Sequence, residues 1–304
     1  MKRLPALASL LLMSCLGLAS LGTAAAETGF PSRPVTLVVP FPPGGATDVN
    51  ARVIAARLAK ELGQSVVIEN RAGAGTVIGA SYVSKAAPDG YTLLVSSGTT
   101  FTVNPAIRAN LPYDPVKGFD QIGLVGRVGL ILLANSEVPV KTMKQFVDYV
   151  KASPGKYSYA SYGTGTTSQF AGETILNVAG LKMTHVPYKG SAPAMTDLMG
   201  GQVPFSVDTV SAAIPQLKNG KIKAIAVTTT KRSTLLPDVP TMAESGYPDI
   251  NMDTWLVVSA PKGLPADVKA KLEKALAATV ADADTRAKLT AQGLEPAFSN
   301  GAAV

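Results

Sequence analysis

The sequence predicts an α/β protein of two units, each a mainly parallel β-sheet flanked by helices. Short apolar runs rich in valine and isoleucine alternate along the chain with longer segments of helical periodicity. Glycine-rich turns separate several of these runs from the helices that follow them. A second alternating series begins at VGRVGLILLANSEVPV, which indicates that the second unit is inserted into the first, with a cleft between them.

The first unit begins with a buried strand at residues 35–39, followed by the turn PPGGAT and a helix. Thr47 is a plausible N-cap of this helix, and Gly63 is its expected C′ residue. Residues 66–68 and 91–96 are predicted to be further strands, with a helix between them. Ligands of such sheets bind beyond the carboxyl ends of the strands, where the glycine-rich turns lie.

The second unit contains a well-marked helix, because Thr142 and Gln145 form a capping-box pair ahead of apolar residues at helical spacing. A strand at residues 157–161 follows, then a helix that ends near Gly180. The chain returns to the first unit with a strand that starts at Asp253. We therefore predict a first lobe of residues 27–127 and 253–304, and a second lobe of residues 128–252.

The amino-terminal residues 1–26 have the pattern of a secretory signal. Lys2 and Arg3 precede an apolar run, and three alanines at residues 24–26 precede the expected cleavage before Glu27. An alternative is lipoprotein processing at Cys15, although the apolar run continues past this cysteine. Cleavage before Glu27 predicts a soluble periplasmic protein that has lost its only cysteine and contains no disulfide.

Composition limits the classes of partner. The chain has 28 basic and 21 acidic residues, and loss of the signal peptide would leave a formal charge of +5. This excess favours an anionic ligand, but it is too dilute to predict nucleic-acid binding, and an ordinary surface balance is an equally good interpretation. With 46% hydrophobic and 16% charged residues, the chain has enough apolar residues for a large core and is expected to be a monomer.

Motifs for catalysis or metal binding are not found. His185 is the only histidine, and it is interpreted as a structural residue in an apolar strand. The chain has no G-x-S-x-G, no H-E-x-x-H and no P-loop ending in G-K-[ST]. Asp208 and Glu173 are a possible carboxylate pair, but their spacing does not favour acid/base catalysis. The sequence thus predicts no enzyme activity, no cofactor and no metal.

Four turns share one feature: PFPPGGATD, ENRAGAG, SYGTGTTSQ and PYKGSAPA each place glycine and small or hydroxyl residues between a strand and a helix. Helix amino termini have unpaired N–H groups and about half a positive charge, which suits a carboxylate or phosphate. One such turn is common in any α/β protein. Four of them in an exported chain without a catalytic motif favour a binding function.

Long motifs also resemble a known family. The run PSRPVTLVVPFPPGGATDVNARVIAARLAKELGQSVVIENRAGAGTVIGA, with AAPDGYTLL, GTGTTSQFAGE, HVPYKG, DLMGGQV and APKGLP, is similar to the Bug receptors. These are the periplasmic solute-binding proteins of tripartite tricarboxylate transporters. The resemblance extends over nearly the whole mature chain. It implies a two-lobed, Venus-flytrap periplasmic binding protein of the type II-like class, which delivers a small carboxylate to the large and small membrane components of a transporter.

The resemblance also implies the binding residues. The first lobe would hold a ligand carboxylate with Phe41, Gly44, Gly45, Ala46 and Thr47. The second lobe would close over the solute with Gly163, Thr164, Thr166, Thr167, Ser168, Gln169, Tyr188, Lys189, Gly190, Ser191 and Asp208. For Phe41 an ordinary core role is an equal alternative, for Asp208 a turn cap, and for Lys189 a solvated surface side chain.

Two departures limit what the resemblance implies. Gln169 replaces a histidine that many relatives have, so their side-chain specificity is not carried over. The chain also stops at AFSNGAAV, where relatives usually continue with another helix, so that a natural end and a truncation are both open. Two rival functions remain: a sensor that signals to a membrane receptor kinase, and an exported hydrolase with His185 as base.

Overall fold

The computed structural model describes residues 29–303, in which strands and helices alternate. The strands are β1 (Val35–Val39), β2 (Val66–Asn70), β3 (Thr92–Ser97), β4 (Phe119–Asn135), β5 (Ser158–Ser161), β6 (Thr184–Pro187), β7 (Phe205–Thr209), β8 (Ile222–Val227), β9 (Asp253–Pro261) and β10 (Glu295–Asn300). The helices are α1 (Ala46–Leu62), α2 (Val77–Ser84), α3 (Asn104–Ile107), α4 (Met143–Lys151), α5 (Thr167–Ala179), α6 (Ser191–Met199), α7 (Val210–Leu217), α8 (Ala266–Ala281) and α9 (Ala283–Ala291). The predicted signal peptide and Cys15 lie outside the described residues. Within these residues, no helix is long and apolar enough to cross a membrane.

Two sheets share the long strand β4. The first sheet has the order β2-β1-β3-β9-β4-β10, and the second has the order β8-β4-β7-β5-β6. Phe119 to Gly129 of β4 pair with β9 in the first sheet, whereas Leu130 to Asn135 pair with β7 and β8 in the second. A single strand of 17 residues therefore runs from one sheet into the other.

The sheets are mixed rather than mainly parallel. The pairs β1–β2, β1–β3, β5–β6 and β5–β7 are parallel, as the strand–helix alternation predicted. Every pair that includes β4 or β9 is antiparallel. The reason is that these two strands carry the chain between the sheets, so their direction is set by the crossing and not by a strand–helix–strand unit.

The apolar cores follow the same division. One buried cluster joins β1, β3, β9, α1 and α8 and includes Leu37, Ile54 and Leu276. Two further clusters cover the faces of the second sheet, around Phe146 and Phe205 on one face and Met195 on the other. The lobe boundaries at residues 127/128 and 252/253 stay a prediction, and this separation of the cores supports them.

Local signals in the sequence have the expected effect on helix ends. Thr142 accepts a hydrogen bond from the backbone of Gln145, as the predicted capping box requires, whereas the Gln145 side chain accepts its bond from Lys141, one residue before the N-cap. Gly63 and Gly180 take left-handed conformations directly after α1 and α5. The strand predicted to start at Asp253 is β9.

Candidate functional site

A pocket lies between the two sheets, at the carboxyl ends of their strands. The loop after β1, the end of β3, the loop after β6 and the end of β7 contribute to its wall. Its volume is about 530 Å³, counting the part open to solvent. Small-molecule sites are concave and often lie between units of a fold, as this pocket does.

Helix α1 begins at this pocket without a side-chain cap. Gly45, in extended conformation with φ −79° and ψ 169°, is the N-cap residue. The expected capping role of Thr47 is wrong, because the helix begins at Ala46, one residue before it. Among the described residues, no acceptor contacts the backbone N–H of Ala46 or Thr47. Both residues line the pocket, so unpaired donors and the positive end of the helix lie at its wall.

Asp48 orders the turn that precedes α1. Its Oδ2 accepts hydrogen bonds from the backbone N–H of Gly44 and from Nε of Arg52, each at 2.9 Å, and its Oδ1 accepts one from Asn70 at 2.9 Å. Burial alone would raise the pKa of Asp48, but these hydrogen bonds outweigh it and the pKa is lowered. The N–H of Gly44, which was predicted to contact a ligand, is therefore already bonded within the protein.

Helix α6 begins at the opposite side of the same pocket. Its N-cap is Gly190, whose φ of 107° favours glycine, and no side chain of the N-cap is available to bond the first turn. A Cβ atom at Gly190 would lie 3.0 Å from Cγ of Pro42, so the loops after β1 and β6 are in close contact. Ser191 and Ala192 line the pocket. The amino termini of α1 and α6 thus face one enclosed space.

The pocket contains polar atoms but no charged side chain. None of the described residues that line it is Asp, Glu, Lys, Arg or His. The Oδ1 atom of Asn50 and the Oγ1 atom of Thr254 are buried and have no hydrogen-bond partner among the described residues. An anion here would be held by backbone N–H groups and hydroxyl or amide groups, not by an ion pair.

A chain of hydroxyl groups connects the two sides of the pocket. The Tyr162 hydroxyl, from the loop after β5, is hydrogen-bonded to Thr167 Oγ1. Thr167 in turn contacts Thr99 of the first unit, through Oγ1 at 3.3 Å and through its backbone N–H at 3.1 Å. The ring of Tyr162 also packs edge-to-face on Phe41, with centroids 6.2 Å apart. These contacts hold the two sides together, and Phe41 and Tyr162 form an aromatic wall.

A second contact between the two sides involves the glycine-rich turn after β2. Gly73, Ala74, Gly75 and Thr76 all have positive φ angles, which is strained for Ala74 and Thr76. The backbone approach here is so close that a Cβ atom at Gly75 would lie 2.6 Å from the carbonyl oxygen of Thr164. Only glycine permits this contact.

Asp208 lies behind the start of α6. The side chain is fully buried, and its Oδ1 accepts hydrogen bonds from the Ser191 hydroxyl at 2.8 Å and from the backbone N–H of Thr209 at 2.7 Å. Its Oδ2 has no partner among the described residues. Burial raises the pKa of Asp208 to about 7 despite these bonds. Asp208 does not line the pocket; it contacts two residues that do, and its predicted contact with a ligand stays a prediction.

None of the predicted residues at 163–169 lines the pocket, and most of them build the start of α5. Thr166 accepts a hydrogen bond from the backbone of Gln169 and donates one to the carbonyl of Gly163. Oε1 of Gln169 accepts one from the backbone of Gly165 at 2.7 Å, and the Ser168 hydroxyl donates to Val207 at 2.6 Å. Thr166 and Gln169 are a T-x-x-Q pair at the start of α5, a signal that the sequence contained, although Gln169 bonds the residue before the N-cap.

Tyr188, Lys189 and His185 also lie outside the pocket wall. The Tyr188 hydroxyl donates to Asp197, and burial together with this carboxylate raises the pKa of Tyr188 to about 12. Lys189 is exposed. His185 is bonded to Ser161 at 2.6 Å, and burial lowers its pKa. A ligand contact from Tyr188 or Lys189 stays a prediction.

Several wall residues were not predicted. Ser97, Tyr162 and Thr209 each lie at or just after the carboxyl end of a strand, which is a signal that sequence inspection could have used. Thr254 comes from β9, close to the point where the chain re-enters the first sheet. Asn50 is one helical turn after Ala46, so it lies on the same face of α1.

Comparison with known proteins finds the same family that the sequence motifs resemble. A family model described as tripartite tricarboxylate transporter family receptor matches residues 50–303. The chain is 36% identical to protein BugT of Bordetella pertussis over 271 residues, which are 89% of this chain and 83% of BugT.

Solved structures agree with the sequence matches. The periplasmic binding protein BugD superimposes with a TM-score of 0.86 and 40% identity, covering 90% of this chain and 92% of BugD. An R. palustris protein with adipate superimposes with a TM-score of 0.88 and 37% identity, with the same coverage of 90% and 92%. These similarities confirm the predicted α/β fold of a two-lobed periplasmic binding protein.

Proposed function

Because this chain belongs to the family of tripartite tricarboxylate transporter receptors, as its resemblance to the Bug receptors predicted, we propose that it captures a small carboxylated solute between its lobes. The family is one of periplasmic solute-binding receptors. The observation that carries the proposal is that the starts of α1 and α6 meet at one pocket, where the described residues provide neither a side-chain cap nor a charged side chain.

A carboxylate matches the hydrogen-bond donors and the positive helix ends of this pocket. Its oxygens accept hydrogen bonds from backbone N–H groups such as those of Ala46 and Ser191, and each helix end contributes about half a positive charge. Two positive helix ends that approach each other repel, whereas an anion between them attracts both. Binding of the carboxylate therefore favours the closed arrangement of the lobes, in which Gly190 contacts Pro42.

The proposed partners follow from the family. The closed, loaded receptor would be recognised by the large and small membrane components of a tripartite tricarboxylate-type transporter. The chain would reach the periplasm by a signal peptide cleaved before Glu27 and act there as a monomer. The solved R. palustris relative with adipate supports a carboxylate as the solute class. A sensor role would use the same closed form as its signal.

The structure offers little support for the rival hydrolase. Ser161 and His185 are hydrogen-bonded at 2.6 Å, as a nucleophile and base would be. However, Ser161 is fully buried, its hydroxyl also contacts the backbone of Gly163, and neither residue lines the pocket. A solute held by α1 and α6 would have no contact with this pair. We therefore propose that the chain is a receptor without enzymatic activity.

The first test is native mass spectrometry of protein purified from periplasm, followed by identification of any molecule released on denaturation. One small carboxylic acid per chain would support the proposal and identify the solute class. Protein that carries none is screened against carboxylic acids by thermal shift, with the primary amide of each acid as its control. Stabilisation by acids and not by amides is expected; equal response to both, or to neither, would contradict carboxylate capture.

A second test concerns Gly75, which closely approaches the opposite side of the pocket when the lobes are closed. We expect Gly75→Ala to weaken solute binding at least about tenfold, because the added methyl group meets the Thr164 carbonyl and holds the lobes apart. The matched control is Gly220→Ala, which has a similar φ of 68° but nothing within 4 Å of the new Cβ atom. Affinity is measured by calorimetry, and solute-induced compaction by small-angle X-ray scattering. Equal affinity in the two variants would show that this contact is not needed for closure.

A further inference from the structure

We propose that a second chamber, which adjoins the pocket, receives the uncharged end of an elongated carboxylate. The chamber lies between α1, α6 and α7, with the end of α9 at one side, and measures about 650 Å³ including its part open to solvent. The inference rests on the proposed function, since it assumes that the carboxylate is held at the starts of α1 and α6. It concerns what the rest of the solute contacts.

The chamber and the pocket share part of their walls. Ala46, Asn50, Ser191 and Ala192 line both spaces. These residues include the first positions of α1 and α6, where we place the carboxylate. A solute anchored there therefore has two directions open to it: toward the aromatic wall of the pocket, or past Asn50 into the chamber.

Two buried polar atoms at the chamber point to a ligand. Asn50 is 1% exposed; its Nδ2 donates to the carbonyl of Ala46 at 2.9 Å, while its Oδ1 has no partner among the described residues. Ser211, at 6% exposure, has an Oγ atom that is likewise buried and unpartnered. A buried amide oxygen and a buried hydroxyl without partners are costly, unless a bound molecule supplies the missing hydrogen bonds.

The lining of the chamber specifies the chemistry of the solute's far end. None of the described residues that line it is Asp, Glu, Lys, Arg or His, and the start of α7 beside it is capped, because Thr209 Oγ1 accepts a hydrogen bond from the Ala212 N–H. Beyond the starts of α1 and α6, where we place the first carboxylate, a second charge would therefore find neither a counter-ion nor an uncapped helix start. Met195 and Met199 supply a flexible apolar surface. Asn50 Oδ1 can accept a hydrogen bond and Ser211 Oγ can donate or accept one. The chamber therefore suits an aliphatic or aromatic extension that ends in a hydroxyl or amide group.

The substitution Ala212→Leu fills the chamber without touching the carboxylate anchor. Ala212 lies on α7, is half-buried and lines the chamber but not the pocket. Thr196→Phe is a second blocking variant on α6, at an exposed position on the facing wall. The matched control is Ala270→Leu, at an exposed alanine in the second turn of α8 that lines neither space.

The probes are propionate, 6-hydroxyhexanoate and adipate, titrated by calorimetry into the full mature chain, with displacement titration for weak binding. We expect the parent to prefer 6-hydroxyhexanoate over adipate. In both blocking variants the affinity for 6-hydroxyhexanoate should fall about tenfold or more, while that for propionate stays within about twofold. The Ala270→Leu control should match the parent, and retained propionate binding shows that the blocked variants are folded.

The possible failures are distinguishable. If the parent binds these carboxylates but the blocking variants bind 6-hydroxyhexanoate as the parent does, the chamber proposal is wrong and carboxylate capture stands. A parent that prefers adipate would also overturn the assignment of an uncharged end. If the parent binds no carboxylate at all, the proposed function fails and the chamber proposal fails with it.

Discussion

The Ala46→Pro variant is expected to lose about 10- to 100-fold in solute affinity while folding at least as stably as the parent. Proline removes the backbone N–H of Ala46, one of the unpaired donors at the start of α1. A hydrogen bond to a charged group contributes about 1.5–3 kcal/mol, which corresponds to this loss. Proline suits the first position of a helix, and the extended conformation of Gly45 suits a residue that precedes proline.

The structure provides a close control for this substitution. Ala283 is the first residue of α9, is exposed, and follows Asp282, whose φ of −63° and ψ of 128° also suit a residue before proline. Ala283→Pro should therefore fold equally well and bind the solute as the parent does. Affinity is measured by calorimetry and stability by urea unfolding. Unchanged affinity in Ala46→Pro would remove the start of α1 from the carboxylate site.

The succession of elements could be predicted because each carries a local signal. Apolar β-branched runs marked the strands, and the Thr142–Gln145 pair and Gly63 marked helix ends. The direction of β4 and β9 could not be predicted in this way. Strand pairing depends on contacts between residues far apart in sequence, and a strand that passes through two sheets has the same apolar pattern as one that lies in one sheet.

The candidate site could be predicted only in part, because local patterns mark its loops but not how distant residues are placed beside them. The glycine-rich turns indicated which loops meet, but not which N–H groups stay unpaired. Asp48, an acidic residue in the first turn of α1, accepts a hydrogen bond from the Gly44 N–H, so this donor is already used within the protein. Thr254 reaches the pocket only because the chain, after passing through the predicted second lobe, returns in β9 beside β4. Such long-range placement leaves no local pattern in the sequence.

Asp208 gives the second large expected effect, a pH dependence of stability. Its pKa in the folded chain is about 7, above the ordinary value of 3.8 for an aspartate, so the folded state holds this proton more tightly than the unfolded state does. The resulting stabilisation is complete below about pH 4 and is lost as the pH rises through 7. This difference in pKa between the folded and unfolded states corresponds to about 4 kcal/mol as an upper bound.

The Asp208→Asn variant should abolish this dependence. Its amide oxygen accepts the hydrogen bonds of Ser191 and Thr209, and the side chain stays neutral at every pH. Urea unfolding from pH 4 to 8 should show the parent losing stability relative to the variant as the pH rises. Asp249→Asn, which changes an exposed carboxylate, is the control and should follow the parent. Parallel curves for the parent and Asp208→Asn would show that Asp208 is ionised throughout.

The same proton bears on solute binding. Tyr162 is a second titratable group near Asp208. Burial, together with the charge of Asp208, raises the pKa of the Tyr162 hydroxyl, so Tyr162 stays neutral. Of these two groups only Asp208 changes its charge in this pH range, so Asp208 determines the charge behind Ser191. A carboxylate at the start of α6 is repelled when Asp208 is ionised, so parental affinity should fall as the pH rises from 6 to 8. In Asp208→Asn the affinity should be constant over this range, and calorimetry at each pH distinguishes the two outcomes.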